Sequence, residues 1–231
     1  MSGGCTNCTS KGGCDSRKTE ERDLLAELLP SLYPGRRWGE PDDAARLNGG
    51  LSSRAARRLA RQAAEVLQAP TFHRSGADDE ACDWIYVLCV GRQPGVFELR
   101  DRPAVDVLDG QHIRERYLRV ALSHMAPLAC VQEVAFELDV DGDLVEIREK
   151  PRPGVFDPVL LPRVQKLVDL LVGSGLTYLD FALIDRPPLG YDPADYAAQY
   201  GQEPGIVNYL FYPQPSTLVT TTFVPCAASL S

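Results

Sequence analysis

The chain has 231 residues, which fits one large domain or one domain with a small appendage. Its formal net charge of −8 at pH 7 argues against a general nucleic-acid binder, because such proteins need a basic surface. No apolar run approaches the roughly 18–20 residues of a membrane span, and no basic stretch precedes a hydrophobic one at the N-terminus. We therefore expect a cytoplasmic protein without a membrane segment. Only four of its 24 basic residues are lysines, a bias that indicates a GC-rich bacterial genome.

Residues 1–18 (MSGGCTNCTSKGGCDSRK) form a cysteine-rich tail with no hydrophobic periodicity and almost no aliphatic side chains. A segment of this composition cannot bury enough apolar surface to fold by itself. We expect it to be disordered, or to be organised by something other than a hydrophobic core.

Two helices follow the tail. The first is predicted from Thr19, with acidic residues in its first turn, to Pro30. The second begins after a cap at Ser52 or Ser53 and runs to about Gln68. The expected regions are a metal-binding tail at 1–18, a helical region at 19–70 and an α+β domain at 71–231.

The rest of the chain alternates between strand and helix patterns, which predicts an α+β fold with a mixed or mostly antiparallel sheet and packed helices. Its clearest element is the hairpin at 131–147, where apolar and polar residues alternate around Asp141-Gly142. The other predicted elements are strand 83–90, helix 111–125, helix 157–172, strand 177–184, and a hairpin that joins 206–212 to 217–224.

Three of the seven cysteines, Cys5, Cys8 and Cys14, form a C-x2-C-x5-C motif. Two residues between thiols let both sulfur atoms reach one metal centre around a tight turn. The Gly12-Gly13 pair lets the backbone approach closely and direct N–H groups at sulfur, and Lys11 adds positive charge that lowers thiol pKa values. Three thiols within ten residues of a coreless segment therefore predict a metal site.

The donor set favours an iron–sulfur cluster, with 4Fe-4S as the expected type and zinc as the alternative. A structural zinc site needs four ligands, whereas a cubane cluster can be held by three cysteines with one iron left to another ligand. For the fourth ligand, Cys226 is preferred and Cys82 is the second candidate. Cys89 and Cys130 lie in or beside apolar strands, so we expect them in the core.

The C-x2-C-x5-C spacing resembles that of the last three ligands of the cluster loop in endonuclease III-type DNA glycosylases. That family has a further upstream cysteine, which has no counterpart before Cys5, and a helix-hairpin-helix motif, which this sequence lacks. The resemblance therefore implies a cluster-binding motif without the glycosylase activity.

Other patterns are weaker. Asp139, Asp141 and Asp143 surround a glycine in the wrong position for a calcium loop, so a hairpin turn is the better interpretation. The histidines His73, His112 and His124 are scattered along the sequence. No G-x-S-x-G, P-loop or G-x-G-x-x-G motif is present. The arginine-rich side of residues 54–61 is interpreted as a solvated helix face or a docking surface for an acidic partner.

Residues 186–205 form a proline-, glycine- and tyrosine-rich stretch of a length that is usually functional or disordered. Its tyrosines Tyr191, Tyr196 and Tyr200 would serve a lid or a partner surface, or simply pack the loop onto the sheet. Three functions follow from the sequence. The first is an iron–sulfur protein with a protein partner, acting in electron transfer or as an accessory or maturation factor of a larger metalloenzyme. The second is a zinc-stabilised interaction module, and the third is an enzyme with its site under the 186–205 loop.

Overall fold

The computed structural model describes residues 11–42, 50–75, 82–90, 112–141, 144–152, 156–201, 203–211 and 221–222. Its helices are α1 (Lys11–Leu32), α2 (Ser53–Leu67), α3 (Leu161–Gly173, after a 3-10 turn at Pro158–Leu160), α4 (Phe181–Ile184), α5 (Ala194–Tyr200) and α6 (Ile206–Leu210). Its strands are β1 (Thr71–Arg74), β2 (Cys82–Val90), β3 (His112–Ser123), β4 (Leu128–Asp141), β5 (Leu144–Arg152), β6 (Thr177–Leu179) and β7 (Thr221–Thr222).

The described strands form one seven-stranded sheet, with the order β5-β4-β3-β2-β1-β7. Neighbouring strands along this path are antiparallel. The short strand β6 pairs in parallel with the beginning of β4, at Leu128–Cys130, whereas β5 pairs with the later part of the same strand. The predicted α+β class with a mixed sheet and packed helices is confirmed.

Local sequence signals define several elements as predicted. The hydroxyl of Ser52 accepts a hydrogen bond from the amide of Ala55 and caps α2, and Gln68 ends that helix in the left-handed conformation. The hairpin of β4 and β5 closes with Asp141 opposite Leu144. The carboxylate of Asp157 accepts a hydrogen bond from the amide of Val159 and caps the turn that leads into α3.

Helices cover both faces of the sheet. On one face, Trp84 and Tyr86 of β2 pack in the same buried cluster as the leucines of α1 and the chain that follows β6. On the other face, Ile85 and Val87 pack against α2 and α3. Adjacent residues of β2 therefore belong to different cores, as expected from the alternation of side chains along a strand.

The predicted helix at 111–125 is wrong, because His112–Ser123 form strand β3. The prediction relied on the apolar residues Ile113, Tyr117, Leu118, Ala121 and Leu122, whose spacing matches a helical stripe. In the fold Tyr117 and Ala121 enter one core while Leu118 and Leu122 enter the other. A strand that is buried on both faces carries no period-two alternation that would separate it from a helix.

Two predictions in the C-terminal third are also corrected. The strand expected at 177–184 ends at Leu179, because the carboxylate of Asp180 caps the short helix α4. The first strand of the hairpin expected between 206–212 and 217–224 is not present at 206–210, and residues 212–220 and 223–224 lie outside the described part of the chain. Residues 206–210 are helical instead, and the two residues of β7 pair with His73 and Arg74 of β1.

The first helix begins inside the region that the sequence assigned to the tail. It continues from Lys11 to Leu32, and Leu25, Leu29 and Leu32 are buried against the sheet. No helix among the described residues is long and apolar enough to cross a membrane.

Candidate functional site

The predicted cysteine site lies at the edge of the described part of the chain. Cys14 belongs to the first turns of α1. Cys5, Cys8 and Cys226 lie outside the described residues. Within the residues that the structure describes, no group of three or more histidine, cysteine or acidic side chains is arranged to hold a metal ion. The metal-binding character of residues 1–18 therefore stays a prediction.

The three cysteines whose side-chain environment is described, Cys82, Cys89 and Cys130, have surroundings typical of structural thiols. Cys82 and Cys130 are buried in the core on the α1 side of the sheet, and Cys89 of β2 is partly buried on the other side. Burial raises the pKa of Cys130 to about 12 and also raises the pKa of Cys89. A thiol that resists ionisation is a poor nucleophile and a poor free ligand.

A buried polar cluster joins four segments at one end of the sheet, centred on Asp83 of β2. Its Oδ2 atom lies 3.0 Å from Nε2 of His73, and its Oδ1 atom lies 3.1 Å from Nε2 of His124. The hydroxyls of Ser53 and Ser75 lie 3.4 Å and 3.2 Å from Oδ1 and donate to it. Each carboxylate oxygen is therefore held by groups from other elements.

Backbone contacts fix the N-terminus of α2 against this cluster. The amide of Leu51 donates to the carbonyl of Ser123 at the end of β3, at 3.2 Å. A Cβ atom on Gly50 would lie 2.3 Å from the backbone of His124, so only glycine allows this close approach. The cap of α2, the end of β3 and the carboxylate of β2 therefore form one rigid junction.

The electrostatics of this junction favour an ionised carboxylate. Burial raises the pKa of Asp83, but the hydrogen bonds and charges of His124 and His73 outweigh it and hold that pKa well below its usual range. Both serines contact the carboxylate and not an imidazole nitrogen. The arrangement thus lacks the serine–imidazole contact of a nucleophilic relay and acts as a structural clamp.

Sequence reasoning missed this cluster. It treated His73 and His124 as ordinary histidines and placed His124 on a helix that does not exist. The useful signal was Asp83, a charged residue directly before the apolar run WIYVLCV. A charge in a strand buried on both faces needs a partner.

A second candidate site is a groove between α1 and the segment that follows α4. It encloses about 470 Å³. Leu25, Ala26 and Leu29 of α1 form one wall, and Leu183 and Ile206 lie on the opposite side. Its remaining lining residues are Arg22, Pro30, Arg36, Arg186, Pro187, Pro188, Leu189 and Tyr191.

The segment that closes the groove is held at both ends by backbone hydrogen bonds. The carbonyl of Arg186 accepts from the amide of Ile206 at 2.8 Å, and the amide of Asp192 donates to the carbonyl of Arg36 at 2.8 Å. The backbone of Gly205 approaches the carbonyl of Ile184 so closely that a Cβ atom would lie 3.1 Å from it. The groove is therefore preformed.

Tyr191 and Tyr196 of the predicted 186–205 loop pack inward. The ring of Tyr196 meets Trp38 edge-on, with 4.9 Å between the ring centroids, and the indole N–H of Trp38 donates to the carbonyl of Asn208. The ring of Tyr191 meets Tyr209 in the same way at 5.3 Å. This part of the loop is ordered by aromatic packing, and it contains helix α5.

No protein-family model, curated protein or solved structure matches this chain at the level taken as significant.

Proposed function

We propose that this chain is an iron–sulfur protein, which binds a 4Fe-4S cluster through Cys5, Cys8 and Cys14. Cys226 is the proposed fourth ligand. The C-x2-C-x5-C motif on a coreless segment is the observation that carries the proposal. When bound, such a cluster supplies one-electron transfer. The protein's role would be electron transfer, or service as an accessory or maturation factor of a larger metalloenzyme.

The position of Cys14 in the fold fits this donor set. Its backbone belongs to α1, the helix described from Lys11 to Leu32. The same helix continues to Leu25, Leu29 and Leu32 in the core. A centre bound by the motif would thus be joined to the α+β domain by a continuous helix.

The choice of the fourth ligand follows from burial. The side chain of Cys82 is fully buried between the sheet and α1, an environment suited to a core cysteine. Cys226 lies outside the described residues, and its assignment as a ligand rests on the sequence alone. We retain Cys226 as the expected ligand and Cys82 as the less favoured one.

A protein partner is part of the proposal, because an electron carrier or maturation factor acts on another protein. The exposed side of α2 offers a cationic docking surface for an acidic partner, made of Arg54, Arg57, Arg58 and Arg61. A cytoplasmic location agrees with the proposal, because reducing conditions keep clustered thiols available to metal.

The decisive experiment is iron, zinc and sulfide analysis of protein purified without oxygen, together with its absorption spectrum. We expect a brown protein with iron and acid-labile sulfide in equal amounts. Cys5→Ser, Cys8→Ser and Cys14→Ser should each lose most of the metal, and the triple variant should be little worse than a single one, since the ligands of one site act as a unit.

Cys89→Val is the matched control, because it removes a thiol from a partly buried position on β2 and should leave metal content unchanged. Cys226→Ser should lower metal content, whereas Cys82→Ala should not. Full metal content in the triple variant would overturn the site.

The zinc-stabilised interaction module remains the alternative reading of the same cysteines. A colourless protein with one zinc ion and no sulfide would select it and reject the cluster. Substrate turnover that survives the triple cysteine substitution would instead favour an enzyme with its site under the 186–205 loop.

A further inference from the structure

The groove between α1 and residues 186–191 combines an apolar interior with a cationic rim. Leu25 and Leu29 are buried and Leu183 and Ile206 are partly buried. These four residues give the groove an apolar lining. Its volume of about 470 Å³ falls in the range of small-molecule sites.

Three exposed arginines, Arg22, Arg36 and Arg186, lie at the rim of the groove. Among the described residues, none of the three takes part in an ion pair. The neighbouring Arg37 is different, because it pairs with Glu40 and Asp195. Although the chain has a net charge of −8, three guanidinium groups with no ion pair among the described residues therefore surround one groove. They create a local site for an anion.

Backbone geometry holds the rim in place. Arg36 has a positive φ of 52° and Gly190 has a φ of 76°. A Cβ atom on Gly190 would lie 3.4 Å from Nη1 of Arg36, so the turn at Gly190 lies directly against that guanidinium group. Leu189, beside this turn, exposes 96% of its side chain at the mouth of the groove. If this side chain covered a bound ligand, its apolar surface would be removed from water, which is energetically favourable.

We propose that this groove binds a small amphipathic anion, a molecule with an apolar body and a carboxylate or phosphate group. The apolar body would lie along Leu25, Leu29 and Ile206. The oxyanion would be held by Arg22, Arg36 and Arg186, since the planar guanidinium fork matches carboxylate and phosphate oxygens. Anion binding in this groove does not depend on the proposed cluster.

Isothermal titration calorimetry with decanoate, decyl phosphate and decanol tests the proposal on the full-length protein. At least one of the two anions should bind saturably and at least about tenfold more tightly than decanol, which has the same chain and no charge. The stronger of the two identifies the preferred oxyanion. Equal affinity for decanol and both anions, or no saturable binding of either anion, would overturn the site.

Variants locate the binding. Arg36→Gln and Arg186→Gln should each weaken binding of the preferred anion about tenfold, with little effect on decanol. Lys166→Gln is the matched control, because it removes a positive charge from an exposed position on α3, a helix on the opposite face of the sheet. An equal loss with Lys166→Gln would mean unspecific charge attraction and would overturn the proposal.

Ala26→Phe tests the apolar part. Ala26 is an exposed residue of α1 that lines the groove, so a larger side chain there should obstruct the site without disturbing the core. Anion binding should fall at least about tenfold while the thermal unfolding temperature stays close to that of the wild type. Unchanged anion affinity in Ala26→Phe would place the ligand elsewhere and overturn the assignment.

Discussion

Asp83 and His73 form a fully buried acid–imidazole pair that ties the first two strands together. The Oδ2 atom of Asp83 lies 3.0 Å from Nε2 of His73, and neither side chain is exposed. The second oxygen of the carboxylate binds His124 and two serine hydroxyls. Stability should therefore depend strongly on this one carboxylate.

Asp83→Asn should lower the free energy of unfolding by about 3 kcal/mol, because it removes a buried charge that several donors share. Ser75→Ala is the control and should cost about 1 kcal/mol, since it removes one donor of the same cluster. Urea unfolding at neutral pH measures both. A loss in Asp83→Asn no larger than that in Ser75→Ala would mean that the cluster contributes little.

The same carboxylate predicts a pH dependence. Its folded-state pKa lies below its unfolded value of about 3.9, so its contribution is fully present above that value and is lost as the pH falls toward the folded pKa. The wild type should therefore lose stability more steeply than Asp83→Asn between about pH 5 and about pH 2. Parallel curves of stability against pH would contradict the assignment.

Tyr33 and Tyr209 offer a matched pair of hydroxyl deletions. The hydroxyl of Tyr33 donates to the carbonyl of Tyr209 at 2.6 Å, whereas that of Tyr209 is buried with no hydrogen-bond partner among the described residues. Tyr33→Phe should cost about 1 kcal/mol, and Tyr209→Phe should be neutral or stabilising. Thermal unfolding of both variants checks the difference. Equal losses would indicate a partner for the Tyr209 hydroxyl.

Burial raises the pKa of the Tyr209 hydroxyl to about 12, with smaller contributions from Tyr191 and Asp192. Alkaline titration followed by tyrosinate absorbance should show a group in the wild type that ionises well above the ordinary value of about 10. That group should be missing from Tyr209→Phe. Identical titration curves for the two proteins would contradict this environment.

Asp157 both caps the turn before α3 and pairs with Arg116 of β3. Its Oδ1 atom lies 3.0 Å from the amide of Val159, and its Oδ2 atom lies 3.0 Å from Nη2 of Arg116. Asp157→Ala should cost about 2 kcal/mol, at the upper end of the range for a helix cap. Asp169→Ala, at an exposed carboxylate that accepts from Gln165, should cost no more than about 0.5 kcal/mol. Denaturant unfolding distinguishes the two.

Several elements were predictable because their signals are local. Ser52 caps α2 through the amide of Ala55, Asp157 caps the turn before α3, and β4 and β5 pair up to Asp141 and Leu144, on either side of the predicted turn. Each depends on residues within a few positions along the chain. In residues 131–147 apolar and polar side chains also alternate with a period of two, which is a local signal for a strand.

Strand β3 was not predictable in this way. Its residues 117, 118, 121 and 122 repeat at a spacing that a helix and a strand buried on both faces share, and the choice is made by pairing with β2 and β4. The same holds for residues 206–210, where Val207, Tyr209 and Leu210 fill the core below α1 as a short helix. Distant segments decide the conformation at both places.

By itself, the sequence determined the fold class, the local caps and turns, and the cysteine motif that predicts a metal site. The tertiary structure alone brought Asp83, His73 and His124 together, and it alone placed Arg22, Arg36 and Arg186 around one apolar groove. Caps and turns depend on hydrogen bonds between residues that are close together in the sequence, so they can be located from the sequence alone. Charged clusters and grooves depend on which distant surfaces the buried core brings into contact, and burial is a property of the whole fold.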